Sequence, residues 1–323
     1  MTRRRIGQTN LWVSPVAMGC WPIAGITSIG VTEENSLATI RAALDAGINF
    51  FDTAYCYGYD GESEKLIGRV LRPHREEVVI ATKCGIGWTP DQKQWKDARP
   101  ETIRRQCDES LQRLGIDAID LYYLHAPDPN VPVAESAGAL KELLDAGKVR
   151  AVGVSNFHQI SQYESFHAVC PISADQPHFN MLQREIETER LPWCQSHHVS
   201  VMVYWPLMKG FLAGKLSRDH AWSPKDGRQK YPVFVGDQWN KTHDFIDRLR
   251  PIAARHHCPL AELVTAWTIQ RPGITAALCG AKRPDQIQES AQAMNRCLTA
   301  TDLSEIDQAI RDRGEVLSRA AVT

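Results

Sequence analysis

Four polar residues stand at or just beyond the ends of apolar runs. Asp52 follows INFF, Tyr57 lies in the short loop DTAYCYG, Lys83 follows VVIAT and His125 follows DLYYL. A carboxylate, a phenol, an ammonium and an imidazole would then share one place. A phenol is a poor acid near neutrality, with an ordinary pKa near ~10. A neighbouring ammonium favours the phenolate, so Lys83 is expected to lower the Tyr57 pKa and make its hydroxyl a better proton donor. Asp52 would keep Lys83 charged and oriented, and His125 would hold a substrate oxygen by a hydrogen bond. The set suits protonation of an oxygen that is gaining negative charge. A carbonyl receiving hydride is such a case, and the hydride must come from a cofactor. Taken singly, each residue has an ordinary structural role: an ion pair for Asp52 and Lys83, a pocket wall for Tyr57, a turn cap for His125 before Ala126-Pro127. Their joint placement at strand ends favours the chemical reading.

The elements that must position them follow from the pattern of apolar residues. Short apolar runs alternate with helical periods along nearly the whole chain. Strands are expected at 16–20, 48–52, 78–83, 118–124, 149–154, 172–176, 199–204 and 274–279. Arg99-Pro100-Glu101 opens a helix with Ile103, Cys107, Leu111 and Leu114 on one face and Gly115 as its stop. Proline fits there because the first helical N–H has no partner to lose. Leu44-Asp45-Ala46-Gly47 is echoed by Leu144-Asp145-Ala146-Gly147, each just before an expected strand. About eight such units predict an α/β fold, a (β/α)₈ TIM barrel formed by one domain over 1–323. The competing doubly wound sheet would normally carry a GxGxxG turn, and none is present. Gly210 to Lys215 only faintly resembles a phosphate loop, being one residue short with Leu216 in place of Ser/Thr. Residues 5–13 are expected to form a small hairpin beneath the barrel. Two long segments, 84–98 and 205–238, are expected as extended loops at the barrel's active face.

Composition excludes several classes. Hydrophobic residues make up 43 % and charged residues 23 % of the 323, which excludes a disordered or fibrous chain. A formal net charge of -1 argues against non-specific nucleic-acid binding, which needs a basic field. No apolar run approaches the ~18–20 residues of a membrane span. The nine cysteines are scattered, odd in number and never spaced CxxC, so free thiols fit better than a disulfide framework or a structural zinc site. His197-His198 and His256-His257 are adjacent pairs, the wrong spacing for two metal ligands on one helix face, and no metal is expected. Cys56 and Cys84 flank the tetrad but are read as packing. Arg3-Arg4-Arg5 followed by Leu11 to Cys20 imitates an export signal, interrupted by Asn10 and Pro15. The expected location is the cytoplasm.

The segments INFFDTAYCYG, VVIATKCG, IDLYYLHAPD, VRAVGVSNF, SADQPHFN, VYWPL and CGAKRPDQIQES resemble, in order and spacing, those of the aldo-keto reductases. The resemblance covers essentially the whole chain. It implies a barrel oxidoreductase that reduces aldehydes or ketones to alcohols, reversibly, with NADPH/NADP+ extended across the mouth. Tyr57 would be the general acid, tuned by Lys83 and Asp52, with His125 orienting the carbonyl. Ser155, Asn156 and Gln176 resemble the groups that hold the nicotinamide carboxamide, and Tyr204 the ring stacked on the nicotinamide face.

The remaining cofactor positions carry over in the same way. Cys20, Trp21 and Asp52 would border the cofactor from the first strands. Trp205, Pro206, Leu207 and Gly210 would approach the pyrophosphate, with Lys215 and Arg228 as clamps. Gly280, Lys282, Arg283 and Gln286 match the segment near the adenosine 2′-phosphate, and Glu289 and Ser290 the adenine contacts. Trp205 stands where serine is frequent and Ser290 where asparagine is frequent, so one hydrogen bond is lost at each place. Trp21, Trp88 and Trp95 join Tyr57 and His125 as expected substrate-pocket walls. Two other functions compete: a Schiff-base lyase using Lys83, and an NADPH-binding regulatory subunit with little turnover. Substrate identity, reaction direction and oligomeric state are not encoded in these patterns.

Overall fold

A computed structural model describes residues 2–26, 28–224 and 226–314. The chain begins with a hairpin, β1 (Arg4–Arg5) paired antiparallel with β2 (Trp12–Val13). Then come β3 (Val16–Gly19), α1 (Glu33–Asp45), β4 (Phe50–Asp52), α2 (Glu62–Leu71) and β5 (Val79–Cys84). A second hairpin, β6 (Ile86–Trp88) with β7 (Gln94–Lys96), precedes α3 (Pro100–Leu114), β8 (Leu121–Leu124), α4 (Val133–Asp145) and β9 (Val152–Ser155). The rest is α5 (Ile160–His167), β10 (Ala174–Gln176), α6 (Arg190–Ser196), β11 (Ser200–Tyr204), α7 (Gly236–Arg255), α8 (Leu260–Gln270), β12 (Ile274–Gly280), α9 (Pro284–Gln292) and α10 (Ala300–Arg313). Strands β3, β4, β5, β8, β9, β10, β11 and β12 close, all parallel, into one barrel with β12 back against β3.

Side chains alternate across each strand, and this selects what reaches the mouth. Phe50, Val79, Ala81, Leu121 and Tyr123 fill the barrel interior. Phe51, Ile80, Tyr122 and Leu124 face the helices. Two residues beyond Phe50 and Ala81, the inward positions fall on Asp52 and Lys83. Gly153 leaves room for the Tyr123 ring, since a Cβ there would lie 2.4 Å from Tyr123 Cε1. Ile6 and Val13 of the first hairpin join the interior cluster, and Arg4 Nη1 donates to the Ile274 carbonyl at 2.9 Å. The hairpin thus caps the end of the barrel opposite the mouth.

The repeated Leu-Asp-Ala-Gly segments end α1 and α4 in the same way. Gly47 and Gly147 take positive φ, +83° and +72°, and their N–H groups donate to Leu44 and Leu144. Helix α3 starts at Pro100 and stops at Gly115, as the pattern predicts. Several strands start later than expected, because the preceding residues are already committed elsewhere. Ile48 N–H donates to the Ala43 carbonyl, and Ile119 makes only an isolated bridge to Val149. The segment after β5 is the second hairpin rather than a plain loop. The first four residues of the GFLAGK stretch lie in a 3₁₀ segment, Met208–Ala213, which Gly214 ends in the left-handed region.

Candidate active site

The chain leaves β4 at Asp52 and follows the edge of β5. Thr53 N–H donates to Ala81, Tyr55 N–H to Lys83 at 3.0 Å, and Tyr57 N–H to Ala54 at 2.9 Å. Ser63 N–H then bonds to the Tyr57 carbonyl at the start of α2. This turn holds Tyr57 over the barrel axis. His125 follows β8, with its N–H on the Cys84 carbonyl at 2.9 Å.

Lys83 Nζ donates to Asp52 Oδ1 at 2.6 Å and to the Thr53 carbonyl at 2.7 Å, and lies 3.4 Å from Tyr57 Oη. The Lys83 and Asp52 side chains are 0 % and 3 % exposed, so the pair is sealed from water. Gln176 Nε2 donates to the other Asp52 oxygen at 2.7 Å. The Tyr57 ring meets Trp21 edge-on at 5.0 Å and His125 at 5.9 Å. All four expected residues therefore converge on one mouth.

Electrostatics modify one expectation. Burial pushes Tyr57 well above the ordinary phenol, and Asp52, Cys56, Tyr204 and Cys20 push the same way. The nearby Lys83 ammonium, 3.4 Å away, does not offset this: burial and the surrounding acidic groups outweigh it. Burial also raises Asp52, against the smaller opposing pull of Lys83 and Gln176. His125 is held well below the ordinary imidazole by burial, then by Lys83 and Lys96. At neutral pH the mouth thus presents a protonated phenol and a neutral imidazole.

A second polar network adjoins the tetrad. Ser155 Oγ donates to the Gln176 carbonyl at 2.8 Å, and Asn156 Nδ2 to the His125 carbonyl at 2.9 Å. Tyr204 Oη donates to Asn156 Oδ1 at 2.8 Å. Asn156 and Trp205 take positive φ, +58° and +60°, as the chain turns away from β9 and β11. Amide, hydroxyl and ring together form a donor set that fits a nicotinamide carboxamide and ring.

Further residues are distributed along the rim. Cys20 is buried, with its N–H on the Asp52 carbonyl at 2.8 Å, and Trp205 and Pro206 lead into Leu207 and Gly210. Lys215 and Glu289, implied as separate contacts, are paired with each other at 2.5 Å. Arg228 is paired with Asp226 at 2.6 Å. Lys282 Nζ donates to the Ile29 carbonyl at 3.0 Å, Gln286 accepts from Lys282 N–H, and Arg283 pairs with Asp285 at 3.1 Å. Gly280 ends β12 and Ser290 is buried in α9. Of the tryptophans, Trp88 donates to the Cys56 carbonyl at 2.8 Å beside the tetrad, whereas Trp95 packs over Gly87 within the second hairpin.

Other residues of the mouth escape the sequence reading. The Thr53 carbonyl leaves no side-chain signal. His178 stands two residues past Gln176, on the same strand face, and meets Tyr204 and Trp205 at 5.6 and 5.4 Å. That period of two was the available signal. Lys209 Nζ sits 3.9 Å from the Trp205 ring and 4.5 Å from that of Tyr231, joining two distant parts of the long 205–238 segment.

A closed parallel barrel with a phenol, an ion pair and an imidazole at its C-terminal mouth is the architecture of a barrel oxidoreductase. Residues 15–311 match the model of the Aldo/keto reductase family, and the chain belongs to that family. It is 35 % identical over 305 residues to "Aldo-keto reductase YhdN" of Bacillus subtilis (strain 168), covering 94 % of this chain and 91 % of that one. It is 33 % identical to the "NADH-specific methylglyoxal reductase" of Escherichia coli (strain K12), covering 99 % and 100 %. Among solved structures it resembles the glycerol dehydrogenase AKR11B4 from Gluconobacter oxydans, with a TM-score of 0.91, 32 % identity and 99 % of each chain covered. No helix of the described residues is long and apolar enough to cross a membrane.

Proposed function

We propose that this protein reduces small aldehydes or ketones to alcohols, reversibly, with NADPH as cofactor and Tyr57 as the general acid. The observation that carries this reading is Tyr57 Oη 3.4 Å from Lys83 Nζ, with Asp52, Gln176 and His125 around them. Bound NADPH would supply the hydride. Ser155, Asn156 and Gln176 would hold its carboxamide, and Tyr204 would face its ring. The substrate carbonyl oxygen accepts hydrogen bonds from Tyr57 and His125. As that oxygen gains charge, the proton moves to it from Tyr57 Oη. The Lys83 ammonium, held by Asp52 at 2.6 Å, stabilises the phenolate left behind. Trp21 and Trp88 beside Tyr57, with Trp95 further out, would wall the substrate pocket and exclude water.

The preference for NADPH rests on Lys282 and Arg283. Their partners are a neutral carbonyl and an exposed carboxylate, 60 % accessible, which hold them weakly. Both cations remain available to a 2′-phosphate. The Escherichia coli relative is named for NADH, and titration of this protein with both cofactors decides between them. The names of two relatives mention methylglyoxal and glycerol, both three-carbon oxygenated compounds. They favour a panel of short polar aldehydes, ketones and polyols. Nine free thiols support a reducing compartment, the cytoplasm.

A Schiff-base reading of Lys83 is disfavoured, since Asp52 and Thr53 already hold its ammonium. The deciding experiment is single-turnover hydride transfer in Tyr57→Phe. The ring and its contacts to Trp21 and His125 stay, and the proton is lost. The rate should fall by ~10²–10⁴-fold with cofactor affinity nearly unchanged. Near-normal transfer would reject Tyr57 as the acid. Absence of turnover on every panel compound, with cofactor still bound, would favour a regulatory subunit.

A further inference from the structure

We propose that Cys56 is a positioning residue that fixes the tautomer of His125, so that Nε2 carries the proton and faces the substrate oxygen. This rests on the carbonyl-reductase reading above. The observation is a partly buried contact that the mechanism leaves unused: Cys56 Sγ lies 3.6 Å from His125 Nδ1. Cys56 is 1 % exposed and packs with Ala54, Ile86 and Ala126, while its carbonyl accepts from Trp88 Nε1. Both its backbone and its side chain are therefore held.

The chemistry follows from which atom donates. Burial pushes the Cys56 thiol up to about 12, so the sulfur keeps its proton at neutral pH. An imidazole nitrogen is a good acceptor and a thiol sulfur a weak one, so S–H donates to Nδ1. A neutral imidazole carries one N–H, which must then sit on Nε2. His125 stays neutral because burial and Lys83 hold it well below the ordinary value. Its Nε2 has no hydrogen-bond partner among the described residues, and the residue is only partly buried, which leaves that nitrogen to face the mouth. The opposite tautomer would present a lone pair to the carbonyl oxygen, and Tyr57 would be the only donor left. Cys56 takes part in no bond making; it acts only through the orientation and protonation of the ring.

The test separates this inference from the reading beneath it. Full-length protein labelled with ¹⁵N-histidine, with His125 assigned by comparison with His125→Gln, reports the tautomer through two-bond N–H couplings without turnover. The expected spectrum shows Nδ1 as the unprotonated nitrogen and Nε2 as the protonated one, unchanged from about pH 6 to about pH 8. Cys56→Ala should alter the Nδ1 resonance and lower kcat by about 3- to 10-fold, the range of one neutral hydrogen bond. KM should move less than kcat. Cys56→Ser, which restores a donor on a shorter arm, should recover part of both signals. A wild-type Nδ1–H spectrum would overturn the proposal, and so would a Cys56→Ala variant with unchanged resonances and unchanged kcat. If the tautomer is as stated but Tyr57→Phe still transfers hydride normally, the general-acid reading fails instead.

Discussion

Removing the Lys83 ammonium tests the ion pair on which the site is built. Lys83→Met keeps the length and apolar stem of the side chain but leaves Asp52, 3 % exposed, without its cation. Gln176 still donates to Oδ2, but Oδ1 loses its partner at 2.6 Å. Breaking a buried pair from one side typically costs ~3–5 kcal/mol, because an uncompensated charge remains. The carboxyl can escape by taking up a proton, since burial already raises its pKa. Folded Asp52 would then be protonated where unfolded Asp52 is ionised, so the variant's stability should fall as pH rises from the ordinary carboxyl value through the raised folded one. Lys83→Met/Asp52→Asn removes the charge and should recover most of that loss and its pH dependence. Activity should stay low in both, because neither has a cation to stabilise the Tyr57 phenolate. Urea unfolding from about pH 4 to about pH 8 measures the first part, and single-turnover hydride transfer the second. A Lys83→Met cost below ~1 kcal/mol, the range of an exposed ion pair, would refute the reasoning, as would a double variant no more stable than the single.

Three further outcomes follow from the same structure. Tyr57 stays protonated well above the ordinary phenol value and His125 stays neutral below the ordinary imidazole value, so the chemical step of carbonyl reduction should be flat from about pH 6 to about pH 9. The reverse oxidation, which needs the phenolate, should climb with pH across that range, and an acid limb near 6.5 that disappears in His125→Gln would count against this. Lys282→Ala/Arg283→Ala should weaken NADPH binding by ~1.5–3 kcal/mol and leave NADH nearly unaffected in fluorescence titration, whereas equal wild-type affinity for the two would reject the assignment. Asp175 is fully buried with Oδ1 unpartnered, and burial raises its pKa from 3.8 to about 7. Its stabilising protonation is complete at low pH and is lost as pH rises through the folded value, so Asp175→Asn should stabilise the protein at about pH 8 by up to ~4 kcal/mol relative to its effect at about pH 4 in urea unfolding.

The barrel and the meeting of Asp52, Tyr57, Lys83 and His125 at its mouth were legible in the sequence because both rest on short-range regularities. Alternation along INFF and VVIAT puts every second side chain inside, so Asp52 and Lys83 had to meet at the mouth once the strands were parallel neighbours. The Leu-Asp-Ala-Gly stops were equally local, since a glycine's positive φ ends a helix wherever it stands. What escaped depends on distances between residues far apart in the chain. Gln176 reaches Asp52 across 124 positions, and Lys215 finds Glu289 across 74. No spacing within one segment encodes such pairs. The direction of the Tyr57 shift was misjudged for the same reason. Adjacency to a lysine is a property of residue types, whereas the balance among burial, Asp52 and Lys83 is a sum over everything packed around one hydroxyl. The Cys56–His125 contact is another instance, because the sequence shows two buried-type residues and only folding sets Sγ against Nδ1. Periodicity decided which residues face the mouth; three-dimensional packing, through desolvation and through-space charge, decided which proton each of them holds.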